Sequence, residues 1–177
     1  IEAKRLLEEI GVEREIQVTA DPAWLLEADP FSDEELIREG IDPGLPLVGF
    51  SVREPGSAAP GLDETAYHRL LADAADFAVE RYGTHVVFVP MERADIRHAH
   101  QVVAEMTNAE NASVLKTNLT PSKVLGLVAR FELAVGMRLH FLIFCALTQV
   151  PFLSLPYAGK VTSLLRALEL PAANMVQ

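Results

Sequence analysis

The 177-residue chain has a single cysteine, a single tryptophan and only 7% aromatic residues. With Cys145 alone, no internal disulfide can form, and nothing at the front reads as a basic region, an apolar core and a small-residue cleavage site. A reducing, cytoplasmic compartment is the expectation, with Cys145 packed as a small apolar residue. The longest apolar stretch, Phe141 to Leu155, is broken by Thr148, Gln149 and Pro151. It falls short of the ~20 residues of a membrane-spanning helix.

Basic residues are also scarce, with 15 Lys and Arg against 25 Asp and Glu and a formal charge of −10. Without a basic face there is no basis for a nucleic-acid partner, although a few converging donors can still hold a small anion. No Gly-rich dinucleotide fingerprint follows the first strand, where Arg53-Glu54-Pro55-Gly56 stands instead. Nor is there a phosphate-binding lysine motif or a Gly-x-Ser-x-Gly elbow. Nicotinamide chemistry, nucleotide hydrolysis and serine-hydrolase chemistry are thereby demoted. His98 and His100 lie two residues apart and diverge on a helix, so no metal site is expected of them, even with Glu92 and Asp95 nearby. Asp73, Asp76 and Glu80 read as the solvated side of a helix.

What is present is alternation. Half the residues are hydrophobic, enough for a full core. From Leu45 onward, β-rich runs alternate with helical periodicity. Leu47 to Arg53, His85 to Val89, a weak run at Ser113 to Leu115, Phe131 to Gly136 and Pro151 to Leu155 read as strands. Between them lie a helix from an Asp63 cap to Gly83, one near Asp95 to Met106, one opened by Thr120-Pro121, one over Phe141 to Leu147 and a last one over Lys160 to Leu168. The fold class is α/β, a Rossmann-like, doubly wound parallel sheet of about five strands in the order 3-2-1-4-5.

The first 45 residues fit this scheme poorly. A helix ending at Gly11, a strand at Glu15 to Thr19, the turn Ala20-Asp21-Pro22 and a linker from Glu27 to Pro46 look like the remnant of a preceding domain. The boundary is placed near Gly44, giving a remnant over residues 1–44 and a Rossmann-like domain over 45–177. The opening Ile1, in place of Met, reads as a chain cut at its front.

The chemistry concentrates at Gly136-Met137-Arg138-Leu139-His140, where a strand passes directly into a helix. The first helical N–H groups there face the carboxyl edge of the sheet, a setting for anions. Arg138 offers a planar fork of donors and His140 a proton donor or acceptor near neutral pH. In the expected strand order Arg53 ends the neighbouring strand and converges with them at the crevice where the winding reverses. Bland alternatives stand beside these roles: Arg138 paired with a nearby carboxylate, His140 satisfied in the core, and Arg53 paired with Glu54.

This block, together with Val150-Pro151 and Pro156-Tyr157-Ala158-Gly159-Lys160-Val161, resembles the polysaccharide pyruvyl transferase family, most closely its CsaB-like branch. Thr19 to Leu26 is similar to the link between that family's two halves, and Val48 to Arg53 to the strand that opens the second half. Where the family segment reads Tyr-Asp-Pro-Lys-Val, Ala158 and Gly159 replace Asp and Pro.

The resemblance implies the carboxyl-terminal half of a GT-B-like pair, inactive by itself. It implies transfer of a pyruvyl group from phosphoenolpyruvate to a sugar of a cell-wall or surface polysaccharide, or of its lipid-linked precursor. Such a substrate allows peripheral membrane association. His140 and Arg138 are then catalytic, and Arg53, Gly136, Tyr157 and Lys160 bind substrate, with no cofactor and no metal. The rival readings are half of a nucleotide-sugar glycosyltransferase and a silent anion-binding domain.

Overall fold

A computed structural model describes residues 2–56, 61, 63–155 and 159–170. Five strands form one all-parallel sheet: β1 (Leu47–Ser51), β2 (His85–Phe88), β3 (Ala112–Val114), β4 (Phe131–Gly136) and β5 (Phe152–Ser154). Their order is β3-β2-β1-β4-β5, as the sequence predicts. The described helices are α1 (Glu2–Glu9), α2 (Asp33–Glu39), α3 (Glu64–Tyr82), α4 (Arg93–Glu105), α5 (Pro121–Val128), α6 (Leu139–Leu147) and α7 (Gly159–Ala167), with 3-10 turns at Pro22–Leu25 and Ala109–Asn111.

Every residue of β1 and β2 is buried, because helices cover both faces of a parallel sheet. On one face Val48, Phe50, Val86 and Phe88 pack with Tyr67, Leu71 and Ala75 of α3 and Ala99 and Val102 of α4. On the other, Leu47, Val87 and Ala134 meet Leu125 and Leu127 of α5, Phe141 to Cys145 of α6 and Val161 and Leu165 of α7. Five consecutive residues of α6 are buried, so this helix is apolar on nearly every side and sits inside the core. Asp63 caps α3 by accepting from the Ala66 N–H at 2.7 Å, and Thr120 caps α5 through the Lys123 N–H at 3.3 Å.

Three sequence expectations need correction. No strand forms at Glu15–Thr19; this stretch is irregular, Val18 is 54% exposed, and among the described residues no strand pairs with it. The stretch taken as a linker contains α2, held by a capping box in which the Ser32 hydroxyl accepts from the Glu35 N–H and the Glu35 carboxylate accepts from the Ser32 N–H. Phe31, Leu36 and Ile41 lie in the same core as the sheet, so packing continues unbroken across Gly44. Gly126 makes this docking possible, because a Cβ there would stand 1.8 Å from the Asp29 carbonyl oxygen. Asp76, finally, is buried: its carboxylate accepts from the Thr107 and Asn108 N–H groups at 2.8 Å and fixes the turn after α4.

Candidate functional site

Ser51 at the end of β1 is in register with Gly136 at the end of β4, and Gly136 with Ser154 of β5. The residues after these strand ends therefore emerge at one edge, the carboxyl edge of the sheet. Gly136 is required there by close approach: a Cβ would meet Phe141 and Leu142 of α6 at 2.7 Å, so only glycine lets the helix turn back this tightly onto its strand. Its place in the site is to seat α6.

Arg138 occupies the N-cap position of α6 and Arg53 follows β1 at the equivalent place, two residues beyond the paired Ser51 and Gly136. The two are thus brought to one edge. Their guanidinium groups are nonetheless engaged. Arg138 is 8% exposed; its Nε donates to Asp95 Oδ2 at 3.0 Å, its Nη2 to Asp95 Oδ1 at 2.5 Å, and its Nη1 to Glu92 Oε1 at 2.7 Å. Asp95, fully buried in the first turn of α4, also accepts from the Met91 and Glu92 N–H groups at 3.2 and 3.1 Å. Arg138 thus pins the start of α4 to the start of α6 through a bidentate, charge-assisted pair. Arg53 is paired with Glu54, and its carbonyl oxygen accepts from the Tyr67 hydroxyl at 3.1 Å. Burial pushes the Tyr67 phenol above its ordinary range, so it remains a donor.

His140 is different. It sits in the first turn of α6 with its side chain 56% exposed, and Nε2 lies 3.6 Å from Asp21 Oδ2. At that separation the contact is an ion pair when the imidazole is protonated, and too long for a hydrogen bond. Asp21 is itself held in place: its Oδ1 accepts from the Ala23 N–H at 2.9 Å, capping the 3-10 turn at Pro22–Leu25 that packs on α6. In the sequence, Asp21-Pro22 reads only as a turn. The available signal was the Asx cap followed by proline, which fixes one carboxylate oxygen and leaves the other pointing elsewhere.

Both residues line a cavity of about 570 Å³ whose floor includes Pro90, Met91, Leu115, Thr117 and Asn118. A neighbouring cavity of about 500 Å³ shares those five residues and is walled by Glu92, Arg93 and Lys116. Together they make a cleft along the carboxyl edge, with His140 and Asp21 at one end and the Glu92 partner of Arg138 at the other. Lys160, exposed in the first turn of α7, lines a different depression formed with Ala3, Arg5 and Leu6, away from His140. Tyr157 lies outside the described residues.

A family model described as polysaccharide pyruvyl transferase matches residues 2–159. The chain belongs to that family. Membership makes it a transferase of polysaccharide pyruvylation, with a sugar acceptor implied. A search of curated proteins returned no match. Among the described residues no helix of this pyruvyl transferase family member is long and apolar enough to cross a membrane.

Proposed function

We propose that this protein transfers the pyruvyl group of phosphoenolpyruvate to two hydroxyls of a sugar in a cell-wall or surface polysaccharide or its lipid-linked precursor, forming a cyclic ketal and releasing phosphate, on the cytoplasmic side of the membrane. The observation that carries this reading is the pairing of family membership with a solvent-reaching histidine, His140, set against Asp21 in a cleft at the carboxyl edge of the sheet.

The reaction needs a proton at the methylene carbon of the enol, which turns that carbon into a methyl group and leaves an oxocarbenium-like centre beside it. One sugar hydroxyl adds to the centre and loses its proton. The C–O bond to the phosphate then breaks, its electron pair leaving on the phosphate oxygen, and the second hydroxyl adds to the centre so regenerated and closes the ketal, giving up its own proton. Two hydroxyl protons are released in all: one balances the proton placed on carbon and the other goes to phosphate or solvent. His140 moves protons in this scheme, with Asp21 holding the imidazolium form, a role contributing about 10²–10⁴-fold.

Arg138 contributes in two ways. Its Asp95 arm fixes the junction, while its Nη1 arm rests on Glu92, a side chain 62% exposed that an incoming phosphate or carboxylate can displace. Arg53 borders the same edge and Gly136 serves the substrate indirectly by seating α6; Lys160, in a separate depression of this chain, and Tyr157 are included on the family resemblance alone, and no cofactor is invoked.

The test is a calorimetric titration with phosphoenolpyruvate beside UDP-sugars, followed by phosphate release with an amino-sugar acceptor, for the chain alone and joined to a family amino-terminal half. Phosphoenolpyruvate binding, with turnover lost in His140→Ala, is the expected result. Binding of a UDP-sugar in its place overturns the reading in favour of a glycosyltransferase. Weak binding without turnover in either form overturns it in favour of a silent anion-binding domain.

A further inference from the structure

His98 and His100 diverge on α4 and make no metal pair with each other. The fold instead carries His98 to a different partner. On the face of the sheet covered by α3 and α4, His98 Nδ1 lies 3.0 Å from His68 Nε2. Glu64, one turn before His68, places Oε1 3.8 Å from His98 Nδ1. One ligand atom from each of the three residues falls within 4.8 Å of the others.

We propose that Glu64, His68 and His98 form a binding site for a divalent transition-metal ion of the zinc type, joining α3 to α4.

The distances carry the argument. Zinc bonds of about 2.0–2.1 Å in tetrahedral array set ligand atoms roughly 3.3 Å apart. The two edges at His98, 3.0 Å and 3.8 Å, bracket that value, and with all three ligand atoms within 4.8 Å of one another a rotation of the Glu64 side chain closes the site. The donor set, two imidazoles and a carboxylate, is that of three-ligand zinc sites which leave the fourth position to water. Glu64 and His68 are four residues apart and share one face of α3, the spacing that the His98 and His100 pair lacks.

Without an ion, a bond between the two rings accounts for the histidines and the Arg97 pair for the carboxylate; an ion adds a reason for all three to meet at one corner. Arg97 donates to Glu64 Oε1 at 3.0 Å, and that oxygen, 3.8 Å from His98 Nδ1, keeps a second lone pair for an ion beside that bond. Both imidazoles are buried between α3 and α4, which fixes them for an ion. Glu64, 45% exposed, marks the entry from solvent. His98 follows Asp95 by three residues on the buried stripe of α4, so an ion here steadies the helix that grips Arg138.

The protein is titrated with Zn²⁺ against a chromophoric chelator, and with Co²⁺ while the visible absorption and the paramagnetically shifted imidazole N–H resonances are followed. One ion per chain with micromolar or tighter affinity is expected, with two shifted imidazole resonances. His68→Gln and His98→Gln each weaken binding on the order of 100-fold or more and Glu64→Gln less, while His100→Gln leaves it unchanged. Zn²⁺ raises the unfolding temperature of the wild type and of His100→Gln, but not of His98→Gln.

Binding that survives both single histidine replacements at these positions, or absence of stoichiometric binding in the micromolar range, overturns the proposal. Should a histidine variant fail to fold, the cobalt resonances of the wild type decide, and their absence refutes the site. No phosphoenolpyruvate enters the measurement, so a negative result leaves the pyruvyl transfer reading untouched.

Discussion

Arg138 and His140 stand two residues apart at one strand-to-helix junction and have opposite environments. Arg138 is almost wholly covered and its fork is held by Asp95 and Glu92, whereas the His140 side chain is 56% exposed and lines a cavity beside Asp21. The helix explains the difference: its first turn carries Arg138 back toward α4 and turns His140 toward the segment around Asp21. Proximity in sequence at a site therefore divides the work. One residue holds the two helix starts together, and the other is available to a reactant.

That division is broken most directly at His140. His140→Ala should reduce turnover by about 10²–10⁴-fold while leaving unfolding free energy within about 0.5 kcal/mol, because the side chain packs little. Parallel kinetics and chemical denaturation check both halves, and a loss of stability matching the loss of activity would make His140 structural.

Asp95 gives the converse. Asp95→Asn removes the buried counter-ion of Arg138, and breaking such a pair costs about 3–5 kcal/mol. Glu92→Gln removes the exposed arm of the same arginine and should cost no more than about 1 kcal/mol. Equal costs for the two would mean that Arg138 is not anchored as its geometry shows.

Asp21 sharpens the comparison on the side of His140. Asp21→Asn keeps an N-cap of equal quality for the Pro22–Leu25 turn and removes only the charge facing the imidazole. Stability should stay put while kcat falls about fivefold, the equivalent of a partly exposed ion pair of about 1 kcal/mol, at constant KM. Asp21→Ala should add a capping loss of about 1 kcal/mol in denaturation. If the asparagine variant keeps full kcat, the carboxylate serves the turn alone.

The fold was legible because its signals are local. Apolar β-rich runs bounded by Asp63, Gly83 and Thr120-Pro121 place strands and caps without reference to anything distant. The errors came where the local signal was outweighed or depended on remote neighbours. Ser32 and Glu35 spell a capping box, but the surrounding Asp, Pro and Gly residues read as linker. Ile16 and Val18 alternate as a strand does, yet among the described residues no strand pairs with them.

At the site, the position of Arg138 was readable and its partner was not. Nothing in the chain distinguishes Asp95 from Asp73, and only the order β2-β1-β4 carries the start of α4, 43 residues away, to the start of α6. The same reasoning applies to His68 and His98, 30 residues apart and joined by the packing of α3 on α4.

The smallest effect is expected on the inner side of the same helix. Cys145 lies one and a half turns beyond His140 on α6 and is wholly buried, and burial pushes its thiol up to about 12. Since the thiolate is the reacting form, the native protein should show no reaction with an aromatic disulfide reagent near neutral pH, and one equivalent should appear only on unfolding. Blocking it should be impossible without loss of structure, whereas a histidine reagent should reach His140 in the folded state. Prompt native labelling of Cys145 would show that α6 lifts from the core, and the contrast between its two faces would then be one of motion rather than of burial.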